Sequence, residues 1–76
     1  MKVIDSIRRI VAEDAAHVGT THELYLRRET VAAITGQHGG VTSVDGVPLR
    51  TLPRDSTRRD CIATIRGGQV ISVTNL

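Results

Sequence analysis

Aromatic residues are almost missing from this chain: it has no Trp and no Phe, and Tyr25 stands alone. Any core must therefore be aliphatic, drawn from nine Val, seven Ile and five Leu. The same shortage removes the stacking platforms on which single-stranded nucleic-acid binders hold their bases. A single cysteine, Cys61, excludes an intrachain disulfide. Long apolar runs are missing too. The longest, Val31-Ala32-Ala33-Ile34, falls far short of the ~20 residues a membrane-spanning helix needs. Asp5, Arg8, Arg9, Glu13 and Asp14 interrupt the place where the apolar segment of a secretory leader would lie. A cytoplasmic protein with a reduced Cys61 and no membrane contact is expected.

What is present is an ordinary globular mixture, 39% hydrophobic and 24% charged, in 76 residues. Size scaling gives about 4,500 Å² of surface for the folded chain against about 11,900 Å² unfolded, so about 60% is buried. That suits one domain spanning residues 1–76 and leaves little room for a deep catalytic cleft.

Charge is unevenly placed. Residues 1–40 hold five cations and five anions, whereas residues 41–76 hold five Arg against Asp45, Asp55 and Asp60. Nine of the ten cations are Arg, whose planar fork grips carboxylate and phosphate better than an ammonium does.

Along the chain, Val3, Ile4, Ile7, Ile10, Val11, Ala15 and Val18 recur at three- and four-residue steps, which predicts an amphipathic helix over 3–17. Asp5, Arg9 and Glu13 follow one another at i, i+4 on its polar side. Thr20 with Glu23 reads as a capping box and Gly36 as a stop, predicting a second helix over 21–35. Leu24 and Leu26 alternate with polar neighbours, so residues 22–27 also read as a strand; the bracketing signals favour the helix. After Gly40 the period changes. Strands at 41–44 and 47–52 flank Asp45-Gly46, and strands at 61–66 and 69–74 flank Gly67-Gly68, two pairs suited to tight hairpin turns. Pro48 cannot donate to a ladder, so its strand is expected at an edge or short. The expected pairing across Gly67-Gly68 sets Ile65 against Val70, Thr64 against Ile71 and Ile62 against Val73. The fold expected is α+β: two N-terminal helices on one face of a four-stranded antiparallel sheet made of two hairpins.

Chemistry-bearing patterns are sparse. His17, His22 and His38 have no zinc-like spacing and one thiol to join them, so no metal is expected. Cys61 and His38 are the one nucleophile–base pair on offer, and a buried free Cys is the simpler reading. Gln37-His38-Gly39-Gly40 runs from a helix into a strand, the reverse of a phosphate-binding loop. No catalytic residue and no cofactor is assigned. The arginines are the strongest candidates: Arg54, Arg58 and Arg59 fall in one polar loop, with Arg50 before it and Arg66 beside a turn. Loops on rigid sheets concentrate binding residues, so these five are expected to contact a partner. A protein is favoured over nucleic acid because bulk charge is modest and stacking residues are missing.

The function expected is a small non-enzymatic binding protein, a regulator or inhibitor. In size it is similar to anti-defence proteins of phages and mobile elements, such as anti-CRISPR proteins. The alternative is enzymatic. Two helices followed by an antiparallel sheet resemble the later part of the RelE/ParE toxin fold, which implies RNA cleavage by sheet-borne basic residues, here Arg58, Arg59 and Arg66. A DNA-binding helix-turn-helix ranks last, since its second helix would set Arg27 and Arg28 against Glu23 and Glu29. A homodimer is expected from the apolar groups on both faces of the C-terminal hairpin.

Overall fold

The structure, a computed structural model, describes residues 2–76. Its elements run α1 (Lys2–Glu13), β1 (Thr20–Leu26), α2 (Arg28–Thr35), β2 (Ser43–Val44), β3 (Val47–Thr51), β4 (Cys61–Arg66) and β5 (Gln69–Asn75). The strands form one five-stranded sheet in the order β2-β3-β1-β4-β5. β1 lies parallel to β3 and antiparallel to β4. The two hairpins close the sheet on either side.

This corrects the expected architecture. The sheet is mixed and five-stranded, not four-stranded and antiparallel, because residues 20–26 are a strand. The expected helix over 21–35 shrinks to its second half. Thr20 does not cap a helix; its hydroxyl accepts a hydrogen bond from Arg66 Nε at 3.0 Å. The alternation of Leu24 and Leu26 prevails for a tertiary reason. Strands dock on both sides of the segment, satisfying its backbone groups and burying both leucines completely. β1 thus separates the two hairpins that a simple meander would have placed side by side. The parallel β1–β3 pair requires a crossover, which α2 and the β2 turn supply.

α1 is also shorter than expected. It ends at Glu13, and the chain tightens through Ala15 N–H to Ala12 O (3.3 Å) and His17 N–H to Asp14 O (3.0 Å). Gly19, at φ 81°, turns it into β1. Val18 accordingly leaves the apolar stripe and is almost wholly exposed. Asp14 and His22 pair across this turn, Oδ2 to Nε2 at 2.8 Å, with the His22 side chain buried.

Both helices feed one core. Ile7 and Ile10 from α1 and Val31 from α2 meet Leu24, Leu26, Leu49 and Ile62. The register shows why these sheet residues share a side: Leu24 stands beside both Leu49 and Ile62. Residues of opposite parity, Glu23, Tyr25, Arg50 and Val73, occupy the other side, away from the one on which α1 and α2 pack.

The α2 start has an unusual support. Arg27 at the N-cap offers no side-chain bond of its own. Instead Asp60, just before β4, accepts from the Arg27 backbone N–H at 2.7 Å and from the Thr30 hydroxyl at 2.6 Å. An anion there also suits the helix dipole. At the other end Gly36, in the left-handed region at φ 72°, donates to Ala32 O at 2.8 Å.

Two details of the hairpins matter below. β3 is interior, and its outer neighbour β2 is only two residues long, with Ser43 opposite Pro48. In the β4–β5 hairpin Ile65 does face Val70, but Ile71 is an extra residue. It shifts the pairing to Thr64–Ser72, Ala63–Val73 and Ile62–Thr74, one position away from the expected match.

Candidate functional site

The structure scatters the five candidate arginines. Arg54 lines a groove of about 640 Å³ between α2 and the segment after β3. Arg50 and Arg58 lie on the open side of the sheet. Arg66 sits at the far end of β4, bonded to Thr20. Arg59 is exposed in the loop. The loop therefore does not present one basic cluster; its arginines divide between the two sides of the sheet.

The groove is the larger feature. Arg27 and Arg28, at the start of α2, line it together with Arg54 and His38. Ala32, Leu52 and Pro53 supply apolar lining, and Glu29 is the single acidic residue. Arg27 Nη2 lies 3.7 Å from Glu29 Oε1, an exposed and hence weak pair. Among the described residues neither Arg28 nor Arg54 has a carboxylate in ion-pair range. A smaller cavity of about 200 Å³ continues past Arg28 and His38 toward Gly39, Gly40 and Thr51. The volume lies in the range of small-ligand and peptide-anchor pockets. The groove offers cationic, bidentate donors together with apolar lining.

Sequence reasoning missed Arg27 and Arg28 as site residues. They balanced Glu23 and Glu29 on a helix expected over 21–35, and the strand at 20–26 removes Glu23 from that surface. The Arg27-Arg28 pair was a visible signal, but nothing local set it opposite Arg54.

The open side carries a compact polar network. Tyr25 Oη donates to Glu23 Oε1 at 2.5 Å, and Arg50 Nε reaches the same oxygen at 2.8 Å. Arg58 lies over the Tyr25 ring, 5.3 Å from its centroid, a cation–π contact. The Tyr25 bond, assisted by Arg50, holds the Glu23 carboxyl below its ordinary range. Glu23 in turn raises the Tyr25 phenol above its ordinary value, with partial burial acting in the same direction. Alternation along β1 puts Glu23 and Tyr25 on one side, and the parallel neighbour β3 brings Arg50 beside Tyr25.

Cys61 and His38 do not form a dyad. Cys61 is free and buried, paired with Tyr25 in the β1–β4 ladder, while His38 lines the groove beside α2. Among the described residues no three of His, Cys, Asp and Glu gather closely enough to hold a metal ion. Among the described residues no helix is long and apolar enough to cross a membrane.

Comparison with known proteins finds no matching family model, no matching curated protein and no matching solved structure.

Proposed function

We propose that this protein is a small non-enzymatic binding protein, a regulator or inhibitor of the size class phages and mobile elements employ, which docks an acidic segment of a protein partner. The observation that carries this reading is the groove lined by Arg28 and Arg54, both without carboxylate partners among the described residues, together with the apolar Ala32, Leu52 and Pro53. An acidic side chain next to an apolar one on the partner satisfies both halves of that surface. Protein is preferred to nucleic acid because the one aromatic ring is engaged with Glu23 and Arg58, and because a net charge of +2 is modest.

The test is a pulldown with and without nuclease, followed by affinity measurements on the captured partner. Replacing Arg28 and Arg54 together by Ala should weaken binding roughly tenfold or more, since each charge-assisted bond is worth about 1.5–3 kcal/mol. The loss should shrink as salt rises, because exposed charges are screened. Equal affinities for wild type and variant would remove the groove as the docking surface.

A second reading, RNA cleavage, is favoured by one specific observation: a carboxylate, a phenol and two guanidinium groups adjoin on the open side. Glu23 supplies a base and Arg50 and Arg58 supply phosphate contacts. The element order behind the toxin resemblance does not hold, since β1 separates the two helices and the sheet is mixed. Of the basic residues it implied, Arg58 joins this network, whereas Arg66 lies at the far end of β4. RNA cleavage by wild type and its loss in Glu23→Gln would support this reading; RNA left intact by wild type would end it.

A further inference from the structure

We infer that the outer edge of β5 is the contact through which two copies of this chain pair, antiparallel about a two-fold axis at Val73, into one continuous ten-stranded sheet. The two edges of the sheet are handled differently. At one, β2 offers only two residues for pairing, a short edge of the kind that resists association. At the other, β5 presents seven residues, every one exposed. Natural edges are guarded by Lys, other charges, Pro or bulges. β5 has no charged residue and no proline along Gln69–Asn75; its one such device is the bulge at Ile71. From Ser72 to Asn75 the strand runs in regular register.

A second copy fits the regular part of this stretch from Ser72 to Thr74 and meets the bulge residue Ile71 at each end of the contact. A two-fold axis at Val73 sets Val73 opposite Val73, Ser72 opposite Thr74 and Ile71 opposite Asn75. Apolar meets apolar at the centre, small hydroxyl meets small hydroxyl beside it, and no charge opposes a like charge. Val70 and Val73, which share the open side and are both about half exposed, would join those of the partner copy in one apolar strip.

The surface area points the same way. The chain exposes 5136 Å², against about 4,500 Å² expected for a monomer of its mass. The excess, roughly 600 Å² over the whole chain, is of the order of the roughly 800 Å² that each partner contributes to a standard interface, and the half-exposed Val70, Ile71 and Val73 supply part of it. A partner of different chemistry is less suited, because an uncharged strand carries nothing to select one by sign.

Sedimentation across a concentration series tests this. Wild type should give a species of twice the 8.2 kDa chain mass, and Val73→Lys should raise the dimer dissociation constant at least about tenfold, through like charges meeting on the axis. Val73 is exposed, so the variant should keep its melting temperature as a monomer, confirmed by circular dichroism. Edge pairing is separated from face-to-face stacking by Ser72→Cys with Thr74→Cys. Both positions lie on the helix side, opposite Thr64 and Ile62. Edge pairing brings each beside the other copy's counterpart, so mild oxidation should give a covalent dimer. A wild type that stays monomeric at high micromolar concentration overturns the inference, and so does a dimer that Val73→Lys leaves intact or that fails to cross-link.

Discussion

The two sides of the sheet are built from the same strands and differ in almost every other respect. On the helix side Leu24, Leu26 and Ile62 are fully buried, and Ile7, Ile10 and Val31 close over them. On the open side Glu23, Tyr25, Arg50 and Arg58 form a polar network over β1 and β3, Cys61 and Ala63 of β4 lie buried beside it, and Val70 and Val73 of β5 stand exposed. One residue of parity separates the two environments. The helix side holds the fold together by apolar burial, and the open side contributes little to that core.

The contrast sets an order of expected effects. Leu24→Ala or Ile62→Ala should destabilise the fold by about 2–5 kcal/mol, the cost of a buried cavity, a large part of what a domain this small possesses. Val73→Ala, on the same sheet but exposed, should change the monomer's stability by no more than about 0.5 kcal/mol. Thermal melts of the three variants measure the difference, and comparable losses would mean that the open side is covered.

Next in size is Asp60→Ala. It removes the acceptor for the Arg27 N–H and the Thr30 hydroxyl, and should cost about 1–2 kcal/mol, the value of a strong helix cap. Amide exchange should rise first at the α2 N-terminus, because that is where the orphaned donors lie. Uniform protection across α2 would show the cap to be dispensable.

The smallest effects are electrostatic and exposed. Arg8 of α1 grips Asp45 of the β2–β3 turn, Nε to Oδ2 at 3.0 Å and Nη2 to Oδ1 at 3.4 Å. The Arg8 bond holds the Asp45 carboxyl below its ordinary value. A carboxyl depressed on folding stabilises the native state above its unfolded pKa and loses that contribution as pH falls through the folded one. Acid melts of wild type should therefore show a small loss of stability in this range that Asp45→Asn lacks.

The open-side network has a spectroscopic reporter, since Tyr25 is the single aromatic. Its phenol is raised by the bond to Glu23, so phenolate absorbance should appear at higher pH than for a free tyrosine. A group raised on folding contributes fully below its unfolded pKa, so this bond's contribution fades only as alkaline pH passes the folded value. Glu23→Gln should bring the midpoint back toward the ordinary value; no movement would detach Tyr25 from Glu23.

Local backbone chemistry made the turns readable from sequence. Gly36 ends α2 at φ 72°, and Asp45-Gly46 and Gly67-Gly68 adopt positive φ at the hairpin tips, conformations that few other residues accept. The Ile/Val stripe of α1 was legible for the same reason: helical period and core face coincide in one short segment. What failed was arbitration at residues 20–26, where a capping-box pattern and a strand alternation overlap. Neither signal is stronger locally, and docking between β3 and β4 decided it.

The sequence by itself thus determined an aliphatic core, the turn positions, the hairpins and a surplus of arginine toward the C-terminal half, because composition and short-range sterics act within a few residues. Only the tertiary structure decided that β1 enters the middle of the sheet, that Asp60 caps a helix far from it in sequence, and that Arg54 shares a groove with Arg27 and Arg28 while Arg58 turns to Tyr25. Each of these depends on which segments meet in space. Burial of Leu24 and Leu26 from both neighbouring strands and the helices above fixes that meeting, and no spacing along the chain encodes it.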